Sequence, residues 1–188
     1  MTLTTLDPIT ALVVIDLQKG IVGMTTAHAA ADIVARAAEL ARAFRRHRLP
    51  VVLVNVTGGA PGRVEHTRST AGRPADWAEL VPELGREPTD HLVTKRTWGA
   101  FTNTGLREYL EEHGVTEVVL AGISTSAGVE STARFAHELG FNVAFAVDAM
   151  TDSSLEAHTN SLTRIFPRLG ETGATAEILE LLDETHHS

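Results

Sequence analysis

Short apolar runs alternate along the chain with longer stretches in which apolar positions recur every three or four residues. Ala11-Leu-Val-Val-Ile15 is a continuous, largely β-branched run, the pattern of a strand buried on both faces. From about His28 to His47, residues Ile33, Val34, Ala37, Leu40, Ala41 and Phe44 form one helical stripe, leaving Arg36, Arg45 and Arg46 for solvent. Pro50 ends that helix, and Val51-Val-Leu-Val54 predicts the next strand. Residues 57–76, rich in Gly, Pro, Arg and Thr, predict a long loop. His91 to Thr94 predicts a strand, and Thr104 to His113 a helix ending at Gly114. Glu117 to Ala121 predicts a strand, followed by a helix from Ser126 to Leu139 closed by Gly140. Val143 to Val147 predicts a strand, Ser154 to Arg168 a helix, and a short strand near Ala174 leads into a last helix to Glu184.

This alternation predicts one α/β domain over residues 1–188. Right-handed crossovers put helices on both faces of a parallel sheet, so the expected fold is a three-layer α/β/α, Rossmann-like, doubly wound sheet of about six mainly parallel strands. In such a sheet ligands bind beyond the carboxyl ends of the strands, which turns the strand pattern into a short set of candidates. Asp16 follows strand one, Asn55 strand two, Lys95 strand three, the segment Gly122-Ile-Ser-Thr-Ser-Ala-Gly128 strand four, and Asp148 strand five. Asp16 taken alone reads equally well as a functional carboxylate and as a helix cap or surface charge. Lys95 beside a buried strand end calls for a carboxylate partner, because an unpaired buried ammonium is costly; Asp16 and Lys95 are expected to form one ion pair. Residues 122–128 carry three hydroxyls and two glycines at a strand–helix junction, suited either to holding an oxyanion on backbone N–H groups or to a plain N-cap.

Composition removes several classes of function. The chain has 188 residues and no cysteine, so disulfides, thiolate metal sites and a cysteine nucleophile are excluded. A net charge of −8 argues against nucleic acid and anionic membranes as partners. No apolar run approaches the ~18 residues of a membrane span, and Met1–Thr10 has neither a basic nor an apolar leader region, so a cytoplasmic location is expected. No G-x-G-x-x-G follows a strand, no P-loop is present, and the G-x-S-x-G elbow of serine hydrolases is absent. His66, His91, His113, His137 and His158 fall in separate elements without metal-ligand spacing, and neither a metal nor another cofactor is expected.

Three segments acquire meaning together. Val-Val-Ile-Asp16-Leu-Gln18, Lys95 through Phe101, and Gly122-Ile-Ser-Thr-Ser-Ala-Gly-Val-Glu-Ser-Thr-Ala133, with Val147-Asp-Ala149 after them, resemble the isochorismatase-like hydrolase family of the cysteine hydrolase superfamily over nearly the whole chain. In the amidase members an Asp–Lys–Cys triad attacks amides. The resemblance assigns Asp16 and Lys95 to that triad and places the nucleophile position at Gly128. It further implies a cis peptide at Ile123–Ser124, oxyanion-holding backbone at Ser124 and Gly128, and substrate contacts from Gln18, Trp98, Phe101 and Ser126.

Gly128 is the departure with chemical consequences, since a residue without a side chain forms no acyl-enzyme. The isochorismatase branch also carries Gly there and cleaves a vinyl ether, which requires an acid and a water. That branch has a glutamine after strand two, where this chain has Asn55, and the metal-binding amidases have Asp and His residues there that this chain lacks. The resemblance therefore implies a hydrolase of a small molecule using Asp16 as acid/base with Lys95 and no covalent step. The alternatives are an amidase-type C–N hydrolase with direct water attack and a catalytically silent small-molecule-binding homologue. Arg63, Arg68 and Arg73 in the long loop are candidate carboxylate contacts or solvated charges. Members of the family commonly assemble as homodimers or homotetramers, and the same is expected here.

Overall fold

β-branched and leucine-rich runs place six parallel strands in one sheet: β1 (Thr10–Ile15), β2 (Val51–Val56), β3 (His91–Lys95), β4 (Glu117–Ile123), β5 (Asn142–Thr151) and β6 (Glu171–Gly173), in the spatial order β3-β2-β1-β4-β5-β6. The structure is a computed structural model describing residues 3–65 and 72–186. Helices α1 (Lys19–Val22), α2 (Ala30–Arg46), α3 (Leu106–Glu112), α4 (Glu130–Glu138), α5 (Leu155–Asn160) and α6 (Thr175–Thr185) lie between and after the strands. This is the expected three-layer α/β/α architecture.

The period-two geometry of a strand sends successive side chains to opposite faces, and β1 feeds two separate cores. Leu12 and Val14 join Ile33, Leu40 and Phe44 of α2 and Ile178 and Leu182 of α6. Ala11, Val13 and Ile15 join Leu106 and Leu110 of α3, Ala133 and Ala136 of α4, and Phe145. All six β1 residues are buried, as the unbroken apolar run predicted.

The sheet order reverses direction between β1 and β4, whose residues pair from Thr10↔Glu117 to Ile15↔Gly122. At such a switch point the connections leave in opposite directions and open a crevice at the strand ends. The crevice here is unusually close-packed, and glycine permits it. Gly122 has φ +120°, and a Cβ there would lie 2.0 Å from the carbonyl oxygen of Ile15.

Three elements depart from the sequence pattern. β5 does not stop at Val147 but runs to Thr151, with a register irregularity opposite Leu120–Gly122. Asp148 therefore lies inside a strand rather than after it. Its Oδ1 accepts hydrogen bonds from the backbone N–H and hydroxyl of Thr175 at 2.7 and 2.8 Å, capping α6, and its Oδ2 pairs with Arg36 at 3.3 Å. The stretch predicted as one helix from Ser154 is α5, a π-helical turn at Ser161–Ile165 and a 3-10 turn at Phe166–Arg168, where Pro167 removes a backbone donor. The helix expected from Ser126 starts with a π-helical turn, Thr125–Val129, before α4.

Candidate active site

Asp16 leaves the end of β1 with φ +53°, a left-handed conformation that a non-glycine residue adopts at some cost and that aims its side chain into the crevice. Its backbone is tied on both sides: its N–H donates to Val54 and its carbonyl accepts from the N–H of Gln18. Lys95 closes β3 two strands away and reaches back over β2. The two meet at 2.8 Å between Lys95 Nζ and Asp16 Oδ2, with the lysine side chain 1% and the aspartate side chain 8% exposed. A second acceptor for the ammonium is the carbonyl oxygen of Trp98 at 2.7 Å. The expected ion pair is present.

The two carboxylate oxygens of Asp16 are not equivalent. Oδ2 receives Lys95, whereas Oδ1 is buried with no hydrogen-bond partner. Burial raises the Asp16 pKa from 3.8 to about 6, and the charge and hydrogen bond of Lys95 pull against that rise without cancelling it. The result is a carboxyl group poised between its two protonation states near neutral pH, with an oxygen free to give or take a proton.

β4 delivers the third component. It ends in a cis peptide bond between Ile123 and Ser124, where the resemblance implied one, and the chain enters the Thr125–Val129 turn. A Cβ built on Gly128 would lie 3.3 Å from both Asp16 Oδ2 and Lys95 Nζ, and 2.8 Å from Ile15 Cγ2. Gly128 therefore occupies the place from which a side chain would touch both members of the ion pair. Asp16, Lys95 and Gly128, far apart in the sequence, converge at one point.

The other expected contacts are distributed differently. The amide of Gln18 is fully buried and bonded to backbone: Nε2 donates to Val56 and Trp77 carbonyls at 3.1 and 3.2 Å, and Oε1 accepts from the N–H of Val56 at 2.8 Å. These bonds tie the segment after β1 to the end of β2 and to the loop around Trp77. Trp98 contributes its carbonyl to Lys95 while its indole is 66% exposed. Phe101 stacks on Phe141 and lines a shallow depression with Phe135 and Leu139 that contains none of Asp16, Lys95 and Gly128. Ser126 faces away from the pair, its N–H and hydroxyl both donating to Asp152 Oδ2 at 2.8 Å.

Asn55 ends up inside β2, with its amide on Ala78 and Thr94. In the long loop, Arg63 is exposed and Arg73 lies over the Trp77 ring at 3.9 Å, while Arg68 and His66 lie outside the described residues. Trp77 itself rests on Gly20, where a Cβ would collide with its ring. Among the described residues no group of three or more His, Asp or Glu side chains is placed to hold a metal ion, and no helix is long and apolar enough to cross a membrane.

Asp152 is the site neighbour that the sequence pattern did not bring forward. It is 4% exposed, one residue beyond the true end of β5. Beside it, the buried His158 places Nδ1 2.8 Å from the Thr125 hydroxyl and packs against His28, whose own Nδ1 is 3.0 Å from the Thr151 hydroxyl. The signal that could have found it is the continuation Ala149-Met150 after Asp148, two apolar residues that carry the strand onward.

The doubly wound sheet thus carries a buried Asp–Lys pair at its switch point, with a strand–turn–helix segment beside it. The sequence matches the isochorismatase domain over residues 10–177. It is 46% identical to the uncharacterized isochorismatase family protein YwoC of Bacillus subtilis (strain 168) over 178 residues, covering 91% of this chain and 93% of that one. It is 43% identical to YecD of Escherichia coli O157:H7, another uncharacterized isochorismatase family protein, over 182 residues, covering 92% and 96%. The fold superposes on the structure of an isochorismatase family protein from Burkholderia thailandensis with a TM-score of 0.92 at 41% identity, covering 95% of this chain and 98% of that one. The chain belongs to the isochorismatase family of hydrolases.

Proposed function

We propose that the protein hydrolyses a small-molecule vinyl ether, with Asp16 as the acid and no covalent enzyme intermediate. The observation that carries this reading is the asymmetry of Asp16: one oxygen held by Lys95, the other buried and unpartnered, on a group whose pKa is raised to about 6. Protonated Asp16 gives its proton through Oδ1 to the electron-rich terminal carbon of the substrate's double bond. The positive charge that forms on the adjacent ether carbon is stabilised by the carboxylate left behind. Water adds to that carbon and returns a proton to Asp16, and the hemiketal collapses to a carbonyl compound and an alcohol. One water is consumed and the acid is regenerated.

Lys95 keeps the carboxylate within reach of neutral pH, since without it burial would raise the pKa further. It also fixes the orientation of Oδ2, which leaves Oδ1 as the reacting oxygen. Gly128 supports the non-covalent route, because position 128 is the one from which a nucleophile would contact both members of the pair and no side chain stands there. More distant relatives fall on both sides of this chemistry. An isochorismatase of Bacillus subtilis (strain 168) is 31% identical over 104 residues, and a streptothricin hydrolase of Streptomyces noursei is 37% identical over 141 residues.

The test is pyruvate release from isochorismate by the purified protein, run beside Asp16→Asn. Release by the wild type and loss of release in the variant is the expected result. Release retained by Asp16→Asn overturns the role of Asp16. No release by the wild type, with turnover of an amide panel that Gly128→Cys increases, replaces the vinyl-ether reading by amide hydrolysis through direct water attack.

A further inference from the structure

Asp152 has no part in the chemistry above, yet it is a nearly buried carboxylate whose two shortest side-chain bonds go to the turn beside the ion pair. Oδ2 accepts the backbone N–H and the hydroxyl of Ser126, each at 2.8 Å. Oδ1 accepts weaker bonds from the Ser153 hydroxyl and the Ser154 N–H at 3.4 Å. Its own carbonyl accepts the N–H of Ala27 at 2.8 Å. Among the described residues no lysine or arginine pairs with it. A buried carboxylate is held instead by N–H and O–H donors, and those bonds are stronger than neutral ones because the acceptor is charged.

The segment it holds lies beside Asp16. A Cβ on Gly128 would come within 3.3 Å of Asp16 Oδ2 and Lys95 Nζ, so the Thr125–Val129 turn stands directly against the buried ion pair. Ser126 is in that turn, and among the described residues its hydroxyl bonds to Asp152. The neighbouring bond from Thr125 to His158 fixes the same turn from the other side.

We infer that Asp152 is a positioning residue of this site: by gripping the backbone and hydroxyl of Ser126 it holds the Thr125–Val129 turn against the Asp16–Lys95 pair and keeps water away from Asp16. This deepens the reading of Asp16 as the acid and makes no contact with substrate. Ser126, expected from the family resemblance as a substrate contact, is the handle by which the turn is held.

The test is the titration of the Asp16 carboxyl, followed by carbon-13 NMR in the substrate-free protein, in wild type, Asp152→Ala, Asp152→Asn and Ser126→Ala. Loosening the turn admits water, so Asp152→Ala brings the Asp16 midpoint down by about one pH unit toward the ordinary carboxylate range. Asp152→Asn removes the charge but keeps an amide oxygen that accepts both the N–H and the hydroxyl of Ser126, so it restores most of the wild-type midpoint. Ser126→Ala, which keeps the N–H bond and loses the hydroxyl bond, gives a smaller drop than Asp152→Ala. An equal drop in Asp152→Ala and Asp152→Asn would mean that Asp152 acts through its charge, and the positioning role is overturned. An unmoved midpoint in folded Asp152→Ala overturns it as well. If Asp152→Ala does not fold, the other two variants decide: an Asp16 midpoint unchanged in Ser126→Ala contradicts the proposal. The titration needs no substrate, so its outcome stands whether or not isochorismate is hydrolysed, and pyruvate release stands whether or not Asp152 positions the turn.

Discussion

The two ends of the parallel sheet each bury a carboxylate, and the proposed chemistry uses only one of them. Glu117 begins β4 at the amino end of the sheet, and Asp16 follows β1 at the carboxyl end. Both are 5% exposed, and burial raises both, Glu117 to about 7 and Asp16 to about 6. Their surroundings differ. Glu117 accepts the backbone N–H of Asp7, and the charges near it, Asp7 and Glu171, are of its own sign. Asp16 faces a lysine and keeps one buried oxygen uncommitted. A raised pKa alone therefore does not mark the site. What marks it is burial opposed by a fixed cation, together with hydrogen-bonding capacity left unspent at a strand end where a ligand can approach.

The largest effect that could break this contrast is on turnover. Asp16→Asn is expected to lower kcat by about 10²–10⁴-fold, the usual contribution of a positioned acid. Glu117→Gln is expected to leave kcat within about twofold, because it touches nothing at the carboxyl end. Steady-state kinetics of the two purified variants check this, and comparable losses in both would remove the distinction.

Next in size is the role of the cation. Lys95→Met leaves burial of Asp16 in place and removes the influence that opposes it, so the Asp16 midpoint is expected to rise by about one to three pH units. Carbon-13 NMR titration reads that shift directly, and a fall instead of a rise would show that Lys95 does not stabilise the charged form.

The smallest effect is on stability at the far end. A carboxylate whose folded pKa lies above its unfolded value favours the folded state most below the unfolded value and loses that advantage as pH rises through the folded one. For Glu117 the window runs from 4.5 to about 7. Glu117→Gln is uncharged throughout, so relative to it the wild type is expected to lose roughly 1–3 kcal/mol across that window. Urea unfolding at pH 4.5 and pH 8 measures the difference, and a gap that does not change with pH would contradict it.

How much of this was legible in the sequence depended on whether a position is governed by local pattern or by what arrives from elsewhere in the chain. The β1 run, the α2 stripe and the order of strand ends carried the fold, because burial on two faces or one stripe leaves a periodic trace. Asp16 and Lys95 were found because a charge at the end of a buried strand is conspicuous and demands a partner. The backbone bonds of Gln18 left no trace in the sequence, because an amide that faces a crevice and an amide bonded to backbone look alike there. Asp148 was expected at the end of β5, and Asp152 stands there instead, because β5 continues past its first polar residue. The irregular register that accompanies it lies opposite Leu120–Gly122 of β4, a non-local feature with no signature near residue 148. Phe101 was expected at the pocket from the family resemblance, and its stacking on Phe141 is a long-range contact with no trace in the local sequence.

The most direct measurement of the central claim is the pH dependence of kcat/KM for vinyl-ether hydrolysis by the wild-type protein. With Asp16 as the acid, the rate should be level below about pH 6 and fall about tenfold per unit above it, following the protonated fraction of a group whose pKa is about 6. A rate that climbs through pH 6 and levels above it would mean that the ionised form is the active one, making Asp16 a base and contradicting the account.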